Sequence, residues 1–177
     1  MNEIPYLEQS IRNIPDFPKP GILFRDITTL LKDKKAFKLA VDGIVEKFKN
    51  GKIDKVVGVE SRGFILGAAV AYQLGAGFIV ARKKGKLPCE TLSVTYALEY
   101  GTDTLEMHKD ALIPGERVLI VDDLIATGGT VAGVIDLVEQ FKAKIVGLAF
   151  VIELVDLKGK DKLKGYPFTS LVSFKGE

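Results

Sequence analysis

The sequence predicts an α/β fold, a parallel twisted sheet flanked by helices. Three observations carry this. Short uncharged apolar runs at 56–59, 78–81, 118–121 and 145–152 read as buried strands. Segments with apolar residues at helical spacing lie between them. Hydrophobic residues make up 47% of the 177, which suits one globular domain over 1–177 and is too apolar for a disordered chain. Strands that alternate with helices join in parallel, with helices on both faces.

Each element has a local reason. Residues 6–13 read as a short helix. The stretch 14–21 holds Pro15, Pro18 and Pro20 and must be extended or turned. Asp33 suits the N-cap of a helix to about Lys49, whose stripe is Phe37, Val41, Ile44 and Phe48; Asn50-Gly51 ends it. Residues 65–74 read as a second helix, and Gly75-Ala76-Gly77 turns it into the 78–81 strand. A basic loop, 82–87, is closed by Pro88. Runs 92–98 and 104–107 alternate loosely and predict an antiparallel ribbon around Gly101-Thr102-Asp103. Pro114-Gly115 is a turn. Residues 130–141 form a helix with Val131, Val134, Val138 and Phe141 on one face. Ligands of such sheets bind beyond the carboxyl ends of the strands, so chemistry is expected after Val59, Ala81, Val121 and Ile152.

Composition excludes several classes. Lys and Arg number 25 and Asp and Glu 23, a net charge of +2 that argues against a nucleic-acid or membrane-surface partner. One cysteine, Cys89, and one histidine, His108, exclude an internal disulfide framework and a multi-Cys or His-rich metal site; a reducing cytoplasm fits. The N-terminus lacks the apolar region of a secretory signal. From Gly63 to Ala81 no residue is charged, long enough for a spanning helix, but Tyr72, Gln73 and four glycines favour helix–turn–strand. Cys89 has no His neighbour in sequence to make it a nucleophile, and His108 beside Lys109-Asp110 is expected to be exposed.

The strongest chemical signal is VLIVDDLIATGGT, 118–130. A buried strand runs into Asp122 and Asp123, and Ala126, Thr127, Gly128, Gly129 and Thr130 open a helix. A helix N-terminus offers unpaired N–H groups to a phosphate. The glycines let backbone approach the anion, and the threonines add hydroxyl donors. The two acids, expected to be ionised at neutral pH, would repel a phosphate, so they must face sugar hydroxyls or a bound Mg²⁺. A phosphate loop plus a carboxylate pair asks for a phosphorylated sugar. Competing loops fail: Gly58 and Gly63 have the spacing of a GxxxxGK(S/T) loop but are followed by Phe64-Ile65 where it needs Lys and Ser or Thr, and Gly75 and Gly77 by Val80 where a dinucleotide fold needs glycine. Arg62, Arg82, Lys83 and Lys86 follow predicted strand ends and could take further phosphates. Alone, the run 82–86 would equally be a solvated charge cluster.

These residues resemble the type I phosphoribosyltransferases, whose phosphoribosyl pyrophosphate (PRPP) motif is similar to 118–130. Glu60-Ser61-Arg62-Gly63-Phe64, ARKKGKLP at 81–88, segment 17–31, Leu98-Glu99-Tyr100-Gly101 and Leu157-Lys158-Gly159 look like the adenine phosphoribosyltransferases in particular. The resemblance runs the length of the chain. It implies the type I phosphoribosyltransferase fold, with a small N-terminal hood (about 1–32) and a β-ribbon lid (about 90–110). It implies transfer of 5-phosphoribose from PRPP to adenine in purine salvage, giving AMP and pyrophosphate, with Mg²⁺ held mainly by PRPP oxygens and no dedicated protein metal site. The 5′-phosphate would sit on Ala126–Thr130, the ribose hydroxyls on Asp122 and Asp123, and pyrophosphate on Arg62, Arg82, Lys83 and Lys86. Glu99, with Tyr100 beside it, is the family-like acceptor of the N9 proton, though an exposed hairpin shoulder is the plainer reading. Phe24 would stack on the purine, backbone of Leu23 and Arg25 would read its edge, and Leu157 would close the other face. Thr29 replaces a proline often found there. A homodimer with the basic loop near its interface is implied. The alternatives are transfer to another purine base, or an RNA-binding regulator on the same fold.

Overall fold

The computed structural model describes residues 3–97 and 101–176. In chain order the elements are α1 (Glu3–Gln9), β1 (Arg12–Pro15), β2 (Leu23–Asp26), α2 (Thr28–Lys32), α3 (Lys34–Phe48), β3 (Lys55–Val59), α4 (Arg62–Leu74), β4 (Gly77–Lys83), β5 (Thr91–Ala97), β6 (Thr102–His108), β7 (Arg117–Ile125), α5 (Gly129–Gln140), β8 (Lys144–Leu154) and β9 (Phe168–Phe174). Two short 3₁₀ turns, Val155–Leu157 and Gly159–Lys162, follow β8.

The main sheet has seven strands in the order β5-β6-β4-β3-β7-β8-β9. The run from β4 through β9 is parallel, while β6 joins β4 antiparallel through Arg82↔Glu106 and Lys83↔Leu105. The expected parallel sheet with helices on both faces is therefore present. Its strands bury both faces by the two-residue period. Val56, Leu119, Val121, Ala149 and Val151 face one cluster with Leu30, Ala40, Ile44 and Leu66 of the helices. Val57, Val118, Ile120, Leu148 and Phe150 face the other, with Val131, Val134, Ile135 and Val138 of α5. Each Val, Leu, Ile or Phe among them contributes about 1.5–3 kcal/mol on full burial.

The Asp33 cap is confirmed: its carboxylate accepts from the N–H of Lys35 (2.8 Å) and Ala36 (3.0 Å), and α3 ends at Phe48. The uncharged run 63–81 is helix, turn and strand, and among the described residues no helix is long and apolar enough to cross a membrane. The ribbon is the antiparallel pair β5–β6, with Thr102 and Asp103 already inside β6.

Four expectations are corrected. The first helix starts at Glu3 rather than Tyr6 and ends at Gln9, because 12–15 is drawn into β1 to pair with β2. β7 continues through the acid pair to Ile125 instead of stopping at Val121, since β8 accompanies it to Glu153. Arg82 and Lys83 belong to β4, not to the loop. His108 is half-buried, and its Nε2 has no hydrogen-bond partner.

Polar groups tie the N-terminal segment together, and Arg25 fastens it to the sheet. The Asp26 carboxylate accepts from Thr28 N–H (2.8 Å) and hydroxyl (2.8 Å) and from Arg12 Nε (2.9 Å), and it ion-pairs with Arg12 Nη2. The Thr28 amide, ahead of the smaller opposing effect of burial, holds its pKa at about 2. Arg25 is buried, its guanidinium 4.0 Å from the centre of the Phe174 ring, which ties β2 to β9. Thr29, where a proline is often found, donates its hydroxyl to Ser10 O at 2.7 Å.

Candidate active site

A cavity of about 310 Å³ opens at the carboxyl ends of β3, β4 and β7. Asp122, Asp123, Ala126, Thr127, Gly128, Gly129, Thr130, Arg62 and Lys83 line it, together with Glu60, Ser61, Tyr96, Asp103 and Leu105. The motif that stood out in the sequence and two of its four flanking cations are thus brought to one chamber.

The floor is backbone. Gly128 caps α5 in the left-handed region (φ 75°), a conformation that favours glycine, and accepts the N–H of Ala132 at 3.0 Å. Behind it lies Gly159, where a Cβ would stand 2.2 Å from Ala126 O and 2.9 Å from Gly128 N. Any larger residue there must push the loop. The loop ahead of α5 is therefore fixed by two backbones in contact, and a helix N-terminus offers unpaired N–H groups of the kind that suit an anion.

The walls are charged. Gly63 makes room for Asp122, since a Cβ there would come within 2.7 Å of its Oδ1. That same oxygen accepts the Asp123 N–H at 2.8 Å. Asp123 is buried, and Arg62 Nε lies 3.0 Å from its Oδ2, yet off the line of a hydrogen bond, so Oδ2 accepts none. Desolvation and the adjacent Asp123 charge push the Asp122 carboxyl well above the usual range. Desolvation also raises Asp123, against the pull of Arg62. The expectation that both acids ionise freely is revised: two carboxyls on neighbouring residues share one guanidinium and want further positive charge or hydroxyl donors.

The cations all have acidic partners. Lys83 Nζ is 3.2 Å from Asp103 of β6, whose carboxylate holds the ammonium above its ordinary pKa. Arg82 and Lys86 turn to Glu60 and do not line the cavity themselves. Tyr96 of β5 rests on Gly133 of α5, where a Cβ would meet its ring at 2.9 Å, and its hydroxyl lies 3.5 Å from Asp103 Oδ2.

Leu23, Phe24 and Arg25 lie in β2 and do not line the cavity. The Arg62 guanidinium sits 5.4 Å from the Phe24 ring centre, and Phe17 packs edge-on to that ring at 5.1 Å. Arg62 therefore spans from Asp123 to Phe24 of β2. Leu157 is 39% exposed on the 3₁₀ turn after β8 and does not line the cavity. Cys89 is exposed. Glu99 and Tyr100 lie outside the described residues.

Comparison with known proteins decides the family. Residues 28–173 match the phosphoribosyl transferase domain. Adenine phosphoribosyltransferase of Bradyrhizobium sp. (strain ORS 278) is 59% identical over 172 residues, 96% of each chain. The chain belongs to the adenine phosphoribosyltransferase family. Crystal structures of adenine phosphoribosyltransferases extend the likeness to three dimensions. The Rhodothermus marinus protein superposes with a TM-score of 0.93 at 51% identity, covering 97% of this chain and 98% of that one. The Saccharomyces cerevisiae protein, complexed with adenine and an imino-altritol bisphosphate, gives 0.92 at 41%, covering 96% and 98%. This member of the adenine phosphoribosyltransferase family carries the type I fold those relatives share.

Sequence reasoning missed Tyr96, Asp103 and Gly159 as parts of the site, and gave Glu60 no role. The signal for Gly159 was its place in Leu157-Lys158-Gly159; the others depend on strand pairings that bring distant residues together.

Proposed function

We propose that this chain transfers the 5-phosphoribosyl group of PRPP to N9 of adenine, releasing AMP and pyrophosphate. One observation carries the reading: an acid pair, a helix-opening glycine loop and two cations share one cavity. The loop Ala126–Thr130 takes the 5′-phosphate on its amides. Asp122 and Asp123 take the 2′- and 3′-hydroxyls, and Asp123 Oδ2, ion-paired with Arg62 but accepting no hydrogen bond, is an acceptor ready for such a donor. Arg62 and Lys83 face the pyrophosphate, with Arg82 and Lys86 behind them.

The reaction breaks C1–O to pyrophosphate and forms C1–N9. Positive charge grows on the ribose ring beside Asp122 and Asp123, and negative charge grows on the leaving oxygens beside the cations, so electrostatic placement lowers the barrier. Mg²⁺ suits this cavity: the carboxylate oxygens of Asp122 and Asp123 on its wall are hard donors, and the ion would be held mainly by PRPP oxygens and water. Bound there, it would neutralise the leaving pyrophosphate. Adenine lies against Phe24, with backbone of Leu23 and Arg25 at its edge and Leu157 on the far side. Glu99, next to Tyr100, accepts the N9 proton, and the β5–β6 ribbon closes over the site to exclude water.

We also propose a cytoplasmic homodimer. Ile65 and Tyr72 on α4, 47% and 87% exposed, leave apolar surface for a second copy; light scattering of the purified protein tests the assembly. No nucleic-acid or membrane partner is expected at a net charge of +2. The activity is tested by incubation with PRPP, Mg²⁺ and adenine, hypoxanthine, guanine or xanthine. AMP should dominate; a nucleotide of another base as the main product would replace adenine in this reading.

A further inference from the structure

Glu60 directly follows β3, and its N–H donates to Ala81 O at 3.0 Å, so its backbone is fixed against β4. Its side chain is 9% exposed and has four donors around it. They are Lys83 N–H at 2.9 Å, Lys86 Nζ at 3.1 Å, Arg82 Nε at 3.3 Å and Arg82 Nη2 at 3.4 Å. Burial alone would raise this carboxyl, but the Lys83 amide, Lys86 and Arg82 outweigh it and hold it below the usual range. Among the described residues no other carboxylate lies within ion-pair distance of Arg82 or Lys86.

The loop has anchors besides this charge. Glu106, also buried, accepts the Gly85 N–H at 2.9 Å, and Arg82 Nη1 donates to Lys86 O at 3.1 Å. Glu60 is thus placed to act on the cations rather than on the loop's path. With it, Arg82 and Lys86 present a net charge of one to an arriving polyanion instead of two.

We propose that Glu60 is a built-in competitor for pyrophosphate: it aligns Arg82 and Lys86 when no polyanion holds them, contests them when one does, and thereby weakens product binding so that pyrophosphate can leave. This rests on the reading that the basic loop takes pyrophosphate. Glu60 is a positioning residue here, acting through the two cations.

The test is calorimetric titration of wild type and Glu60→Gln with magnesium pyrophosphate at several salt concentrations, and with AMP as a measure of the intact hood and phosphate loop. Glutamine keeps an oxygen for the Lys83 amide and removes the charge. Two partly exposed pairs of ordinary strength predict roughly fivefold tighter pyrophosphate binding in the variant, with a steeper loss in salt and AMP affinity unchanged. Equal or weaker pyrophosphate binding with AMP affinity intact overturns the proposal. If wild type itself binds no pyrophosphate, the reading of the basic loop falls, and this inference with it. A second measurement does not need the variant to fold. In a crystal of wild type grown with magnesium pyrophosphate, Lys86 Nζ should leave Glu60 by more than about 4 Å for a phosphate oxygen; both cations still seated on Glu60 would refute the competition.

Discussion

Asp122→Asn separates what the acid pair does for function from what it costs the fold. Asparagine has the same shape, so it fits under Gly63 and keeps an oxygen for the Asp123 N–H. It cannot ionise beside Asp123. The Asp122 carboxyl is raised in the folded protein by desolvation and then by its neighbour. A raised acid contributes its full stability below the unfolded carboxylate range and loses it as pH rises through the folded value. The wild type therefore carries a growing penalty towards neutral pH that the variant escapes. Relief at functional sites of this kind is about 0.5–2 kcal/mol, and about 1 kcal/mol moves the Tm of a domain this size by roughly 2–4 °C. Thermal unfolding from pH 4 to pH 8 should show the curves together at the acid end and the variant above wild type at pH 7. Activity moves the other way. Loss of a hydrogen bond to a charged acceptor is worth about 1.5–3 kcal/mol, so kcat/KM for PRPP should fall roughly 10- to 100-fold. A variant no more stable than wild type at pH 7, or a Tm difference independent of pH, refutes the argument that the Asp122 carboxyl is strained by burial and by its neighbour.

Three further substitutions probe other parts. Gly159→Ala puts a methyl 2.2 Å from Ala126 O, and overpacking of this sort costs about 1–3 kcal/mol; KM for PRPP should rise more than KM for adenine, and unchanged kinetics would remove Gly159 from the site. Arg62→Ala removes the cation facing Asp123 and should weaken PRPP and pyrophosphate more than adenine in titrations; equal loss of all three would mark a folding defect instead. Asp26→Ala should destabilise the protein by about 1–2 kcal/mol in urea at pH 7. Because Asp26 is depressed to about 2, its stabilisation exists above the unfolded carboxylate range and is lost as pH falls through that value, so the gap should close near pH 2; a gap constant with pH would deny its ionic character.

Much of this was legible in the chain. Asp33 and the Phe37, Val41, Ile44, Phe48 stripe define α3 because cap and periodicity agree, and the glycine loop after the acid pair announces a helix start. The hairpin β1–β2 was not legible. Its prolines mask one strand, and Arg25 and Asp26 look like surface residues until Asn13, Arg12 and Phe174 are brought to them. β9 went unassigned because Phe168–Phe174 mixes polar and apolar residues without strict alternation and pairs on one side only, with β8. The acids were expected beyond β7 and are within it, since a charged residue is not read as strand until its neighbour β8 is known. In the site, the motif residues could be found from their spacing. Tyr96, Asp103 and the partners of Glu60 could not, because each contact joins segments whose closeness only the sheet order creates.

The central claim is that the acid pair and the loop ahead of α5 hold a 5-phosphoribose. A crystal structure of the protein with AMP tests it most directly. The account predicts phosphate oxygens on the amides of residues 126–130 and ribose hydroxyls on Asp122 and Asp123, with the base against Phe24. A nucleotide bound elsewhere, leaving that loop and those carboxyls untouched, would contradict it.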